Sequence, residues 1–298
     1  MLKITSNNKV VLLIFIAILA IISILVTANS SKKEVAIRPA VVVSFYPYQF
    51  LTSRILGEKG SVYNLTPAGS EPHDYDLTTK DRVRIEKSEI LILNGLGLEP
   101  WSKNISEVLP AERVLVAGEK VAFGDDPHVW LDPSLMIALT NLITEQIVKI
   151  DPAGADTYRQ NAAILIADLY SLDQSFRTGL ANCEKKEIIT GHEAFSYLAR
   201  RYGFEQNSIA GISPEAEPSA NDLASLVKLT KEKNINVIFF ETMSGPKFAE
   251  TIAREIQGKT MVLNPLEGLS EAELALGKDY ISEMKQNLEN LKIAMVCR

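Results

Sequence analysis

Histidine is scarce in this chain, with three residues in 298, and cysteine is scarcer, with two. Two cysteines cannot build a disulfide-dense scaffold. Neither has a ligand-forming partner at close spacing, which argues against a thiolate metal site. There is no low-complexity tract and no exact short repeat, so a repeat architecture is set aside. Positive charge is also short: 31 basic side chains face 37 acidic ones, a net of −6. An acidic balance disfavours nucleic acid as a partner and mildly favours cations.

What remains is an ordinary globular composition. At 46% hydrophobic and 23% charged, the chain has apolar mass for two small cores. The N-terminus stands apart. Val10 to Val26 is an apolar run interrupted only by Ser23, preceded by Lys3 and Lys9 and followed by Thr27-Ala28-Asn29-Ser30. A basic flank, an apolar run and small residues describe an export signal, with Val26-Thr27-Ala28 as the cleavage site. The run is long for a signal and just short of a membrane span, so residues 1–28 read as a cleaved signal peptide or a retained anchor touching the membrane. No cysteine lies near it, which argues against lipid attachment. Lys3 and Lys9 are its only charged residues, so the exported remainder keeps 29 basic and 37 acidic side chains, a net of −8. Outside the cytoplasm an even cysteine pair reads as a disulfide, Cys183–Cys297.

Along the chain, residues 29–39 form a flexible lead-in. Short β-branched or apolar runs at 40–45, 62–65, 89–93 and 113–117 read as strands. Helices are predicted over 46–56, from Thr78 to about Lys87, and over 99–109. Pro133 opens a helix to about Lys149. The longest helical stretch, about 155–180, has Tyr158, Ala162, Leu165, Leu169, Leu172 and Phe176 at three- and four-residue spacing. At ~1.5 Å per residue it is nearly 40 Å long, enough to join two lobes. The second half repeats the alternation, with strands at 186–190, 237–240 and 260–263. Its helices are predicted at 194–202, 219–233, 246–256 and 279–295. The expected fold is α/β: two lobes, residues 40–154 and 183–298, each a mostly parallel sheet flanked by helices, joined by one long helix over 155–182.

All three histidines fall in short loops rich in turn-forming residues: Gly69-Ser70-Glu71-Pro72-His73-Asp74-Tyr75, Asp126-Pro127-His128-Val129-Trp130-Leu131-Asp132-Pro133, and Gly191-His192-Glu193-Ala194-Phe195. A histidine in a loop is ordinarily a solvated surface residue, and so is a loop carboxylate. However, His73, His192 and Glu267 each follow a predicted strand, and His128 precedes a helix. Parallel sheets bind ligands at the carboxyl ends of their strands. Two residues come from each lobe, so their meeting place is the cleft. Three neutral imidazoles and one carboxylate give Zn²⁺ a filled tetrahedral set of net charge +1, with no open position for an activated water.

These loops, together with Gly211-Ile212-Ser213-Pro214-Glu215-Ala216-Glu217-Pro218-Ser219, closely resemble the zinc- and manganese-type solute-binding proteins of ABC importers over residues 38–296. The resemblance implies an exported metal receptor, not an enzyme, that hands its ion to a membrane permease with a cytoplasmic ATPase. It implies His73 and His128 as ligands, and His192 at a position that leans toward Zn²⁺, with Mn²⁺ or Fe²⁺ as the alternative. Many members carry an aspartate where Asn264 stands. Leu263-Asn264-Pro265-Leu266-Glu267 is instead similar to the branch in which the glutamate is the ligand, so Glu267 is the fourth. The His-rich loop of many zinc members is absent: residues 118–125 hold no histidine. Glu71, Asp74 and Glu193 adjoin ligands and are candidates to orient imidazole N–H groups. Glu215, Glu217 and Glu241 read as capping and packing residues, and Trp130 as cleft-wall packing. A monomer is expected, at the periplasm or the outer face of the cytoplasmic membrane. Two alternatives of another class are a zinc hydrolase, which needs an open coordination position, and an adhesin whose metal is structural.

Overall fold

Ala40–Val43 (β1) is an Ala-Val-Val-Val run with three of its four residues buried, and it stands at the centre of the first sheet. In the computed structural model, residues 39–107, 109–214, 218–243 and 245–298 are described. The predicted signal segment, most of the lead-in, Glu215 and Glu217 lie outside them. No helix among the described residues is long and apolar enough to cross a membrane.

The first sheet adds Ser61–Asn64 (β2), the fully buried Ile90–Leu93 (β3) and Val114–Val116 (β4), in the order β2-β1-β3-β4. All its pairings are parallel. The second is built from Glu187–Thr190 (β5), Glu205–Ser208 (β6), Val237–Phe240 (β7) and Lys259–Val262 (β8) in the matching order β6-β5-β7-β8, also parallel. Each lobe is therefore an α/β unit of one winding, and both sheets turn the carboxyl ends of their strands into loops that carry chemistry.

The helices start where the capping residues stand. Tyr46–Leu56 (α1) has Pro47 in its first turn. Thr79–Lys87 (α2) begins with a reciprocal Thr78–Asp81 capping box, as the spacing predicts. Pro133–Ile150 (α3) is capped by Asp132, whose carboxylate accepts from the Ser134 N–H. Ala155–Gly179 (α4) is the long helix, and its buried face holds all six residues of the predicted stripe plus Asp173. Ser196–Tyr202 (α5), Ala220–Glu232 (α6), Lys247–Glu255 (α7), Glu271–Ala275 (α8) and Tyr280–Met295 (α9) complete the described helices.

Three expectations change. Residues 99–109 form a 3-10 segment, Pro100–Glu107, rather than an α-helix. Prolines at 100 and 110 bracket the stretch, and neither can donate a main-chain hydrogen bond. Strand β6 and helix α8 were not predicted: β6 is Glu-Gln-Asn-Ser, polar because it lies on a sheet edge. The core is also not two separate cores. The largest buried cluster runs without a break from Val41 and Phe45 through Leu165 and Leu169 of α4 to Leu266, Tyr280 and Met284, with smaller clusters on the outer side of each sheet.

Polar anchors reinforce this join. Asp173 of α4 accepts from Arg201 Nε at 2.7 Å, Tyr202 Oη at 2.8 Å and Arg177 Nε at 2.9 Å. Arg201 also lies 3.2 Å from Asp132 at the start of α3. Hydrogen bonds outweigh the effect of burial and hold the Asp173 carboxyl below the usual aspartate range. Cys183 and Cys297 are joined as a disulfide, tying the entrance of the second lobe to the end of the chain.

Candidate metal centre

The loops that follow β2, β4, β5 and β8 bring His73, His128, His192 and Glu267 together, with one ligand atom of each within 4.8 Å of the others. The rings are not solvated loop residues: His128 and His192 are fully buried, and the His73 side chain is 9% exposed. Glu267 Oε1 stands 3.4 Å from His73 Nε2, 3.3 Å from His128 Nε2 and 3.3 Å from His192 Nε2. The Nε2 atoms of His128 and His192 are 3.2 Å apart. A tetrahedron of ligands at about 2.0–2.1 Å from a central ion has edges of about 3.3 Å. Four of its six edges are thus set within a few tenths of an ångström.

The tautomers follow from what stands behind the rings. His128 Nδ1 is 2.7 Å from Asp126 Oδ1, which also accepts from the His128 backbone N–H at 3.0 Å. His192 Nδ1 is 2.6 Å from Glu241 Oε2, and Glu241 Oε1 accepts from the His192 backbone N–H at 2.8 Å. With Nδ1–H donated outward, the neutral form of each ring presents its Nε2 lone pair to the same buried space. Two lone pairs at van der Waals distance repel unless a proton or a cation lies between them. His73 Nε2 and Glu267 Oε1 are likewise buried with no hydrogen-bond partner. An ion accepting four lone pairs would satisfy all of these at once.

Packing allows little adjustment. Gly191 is required, because a Cβ there would stand 2.6 Å from Glu241 Oε1. The His192 carbonyl accepts from Thr190 Oγ1 at 2.8 Å and Gln206 Nε2 at 2.7 Å. Across the cleft, Trp130 is fully buried against Phe45 and His128, and its indole N–H donates to the Pro265 carbonyl at 2.7 Å. The Gly69 N–H donates to Leu269 O at 3.1 Å, joining the His73 loop to the Glu267 loop through main chain alone.

The metal-free electrostatics are those of a proton trap. Burial opposes a charge on His192, but Glu241 and Glu267 overcome it and push its pKa up to about 10. His128 is raised in the same sense: burial opposes it, and Asp126 and Glu267 prevail. Burial would raise Glu267, yet His128, His192 and His73 together hold it far below the usual carboxylate range. Burial and the nearby Glu267 charge push Glu71 up to about 9.

The residues expected to orient the rings are corrected. Glu71 accepts from the His73 backbone N–H at 3.5 Å and faces Glu267 rather than a ring nitrogen. Asp74 and Glu193 are exposed. Asp126 and Glu241 face the ring nitrogens instead, and Glu241 is not the capping or packing residue expected. The Asp126 signal was present in the sequence, since an Asp two residues before a histidine can form an Asx turn with it. Asn264 is not among the converging ligands: its Oδ1 accepts from Leu266 N–H and its Nδ2 faces Glu283.

Residues 41–294 match the protein family described as zinc-uptake complex component A, periplasmic. The high-affinity zinc uptake system protein ZnuA of Bacillus subtilis is 40% identical over 280 residues, covering 87% of this chain and 88% of that one. The zinc-binding protein AdcA of Streptococcus pyogenes is 34% identical over 284 residues, 85% of this chain; the match spans only 55% of AdcA's length. Among solved structures, the Zn(II)-bound ZnuA-like domain of Streptococcus pneumoniae AdcA superposes with a TM-score of 0.77 at 35% identity. That superposition covers 86% of this chain and 98% of the domain.

Proposed function

Because this chain belongs to the zinc-uptake complex component A family, we propose that it is an exported receptor that captures Zn²⁺ between its lobes. The ligands are His73, His128, His192 and Glu267. The ion is cargo, delivered to the permease of an ABC-type importer driven by a cytoplasmic ATPase. One observation carries the reading: ligand atoms of four residues from two lobes converge, and four of their six separations match the edge of a zinc tetrahedron. Three imidazoles favour zinc over the harder Mn²⁺. Four protein ligands fill the tetrahedral set, leaving no position for an activated water, so the reading is of a receptor and not an enzyme. The zinc-named relatives support the same cargo.

The test is competitive titration of the exported part, residues 29–298, against a chromophoric zinc chelator. One ion per chain is expected, with a large loss of affinity in His73→Ala, His128→Ala, His192→Ala and Glu267→Ala. An unchanged His192→Ala would overturn the site, and Mn²⁺ displacing Zn²⁺ at comparable concentration would overturn the cargo. The metal-free protein should stay folded, with free zinc at a hundred times Kd adding about 2.7 kcal/mol. A fold that melts when metal is removed would instead mark the ion as structural.

A further inference from the structure

The Glu267 carboxylate is aimed by its backbone and not by bonds of its own ligating oxygen. Oε1 has no hydrogen-bond partner, so its place is set by the preceding turn together with the Glu71 carboxyl that faces Glu267. The turn is unusual. Leu266 is fully buried and has φ 59°, in the left-handed region that a bulky side chain rarely adopts. Asn264 holds it there, its Oδ1 accepting from the Leu266 N–H at 2.8 Å in an Asx turn.

Asn264 is itself clamped on every polar group. Its N–H donates to Asn287 Oδ1 at 2.9 Å, and its carbonyl accepts from Asn287 Nδ2 at 2.7 Å. Its Nδ2 donates to Glu283 Oε2 at 3.3 Å. Both partners lie on α9, and all three residues are buried. With Oδ1 committed to Leu266, the carboxamide is not free to ligate.

We propose that Asn264, braced by Asn287, is a positioning residue that sets the Glu267 carboxylate at the fourth vertex of the metal site. The proposal rests on the reading that Glu267 is a metal ligand. A carboxamide serves here because it accepts from Leu266 and donates to Glu283 at once. A carboxylate in its place would face Glu283 with like charge.

The test is a double-mutant comparison of zinc affinity and of the visible spectrum of the Co²⁺-loaded protein. The variants are Glu267→Gln, Asn264→Ala and the pair combined, each checked for folding by its metal-free melting curve. If Glu267→Gln alone leaves affinity and spectrum unchanged, the ligand reading fails before the positioning proposal is reached. Otherwise Asn264→Ala should cost about 10-fold or more in zinc affinity. It should also alter the four-coordinate cobalt spectrum as Glu267→Gln does. Adding Glu267→Gln to Asn264→Ala should then cost little more, because both changes remove one vertex. Additive losses, or an Asn264→Ala protein with wild-type affinity and spectrum, would overturn the proposal. Should Asn264→Ala not fold, Asn287→Ala carries the same comparison from α9. A smaller loss that vanishes in the Glu267→Gln background supports the proposal, and an additive one overturns it.

Discussion

Glu241 grips His192 twice, with one oxygen on the ring Nδ1 at 2.6 Å and the other on the backbone N–H at 2.8 Å. The two residues follow neighbouring strands, β7 and β5, so the sheet itself sets their distance. A carboxylate there fixes the ring's rotation and tautomer and makes Nε2 a stronger electron donor. Glu241→Gln keeps the shape but weakens the grip, and it is expected to lower zinc affinity about 10- to 100-fold. Competitive chelator titration checks this, and an unchanged affinity would remove Glu241 from the site.

On the proposed zinc reading, zinc and protons compete for the same nitrogens. In the metal-free protein His192 titrates near 10, against an ordinary imidazole value of about 6.5. Near neutral pH that ring therefore carries a proton, which zinc must displace. Affinity should rise with pH up to about 10, by roughly one decade per pH unit for each proton released. Calorimetry in buffers of different ionisation heat counts the protons directly. A binding heat that does not vary with the buffer would refute the competition.

The Cys183–Cys297 bond joins positions 114 apart in the sequence. Restricting so long a loop in the unfolded chain is worth about 2–5 kcal/mol. The double change Cys183→Ser, Cys297→Ser should lower Tm measurably. Because neither cysteine is among the converging ligands, zinc affinity of the folded variant should stay within a few-fold of wild type. A large affinity loss at full folding would show that the disulfide reaches the site.

Asp173 ties α4 to α5, and through Arg201 to the head of α3. Asp173→Asn should destabilise the fold by roughly 2 kcal/mol, since bonds to charged groups are lost while the shape is kept. The carboxyl is held below its ordinary value in the folded state. Its contribution is therefore present above the unfolded aspartate value, about 3.9, and fades as pH falls through the folded value. Denaturant unfolding of both proteins from pH 7 to pH 3 should show the gap narrowing on the acid side. A constant gap would argue for packing alone.

Local chemistry was legible in the sequence, and cross-chain chemistry was not. Thr78 with Asp81 and Ser219 with Asp222 announce helix starts because a cap is satisfied within four residues. The stripe on α4 is visible because burial repeats with the helical turn. The four converging residues stand out through their loops and a family resemblance, while their burial has no local sign in the sequence. Glu241 escaped because it lies 49 positions from the ring it holds, and only strand order makes them neighbours. The Trp130 bond to Pro265 spans 135 positions and was equally hidden. Strand β6 escaped because an edge strand with little buried surface has no apolar signature.

The Gly69–Leu269 bond is made by main chain on both sides, so this one tie between the His73 and Glu267 loops does not depend on which side chains stand at those two positions. Coordination chemistry and loop attachment are thereby separate properties of this cleft. On the proposed zinc reading, exchanging one imidazole for a carboxylate, or the reverse, would leave that main-chain tie in place. Ligand chemistry could then change by point substitution while one fastening of the cleft loops persists.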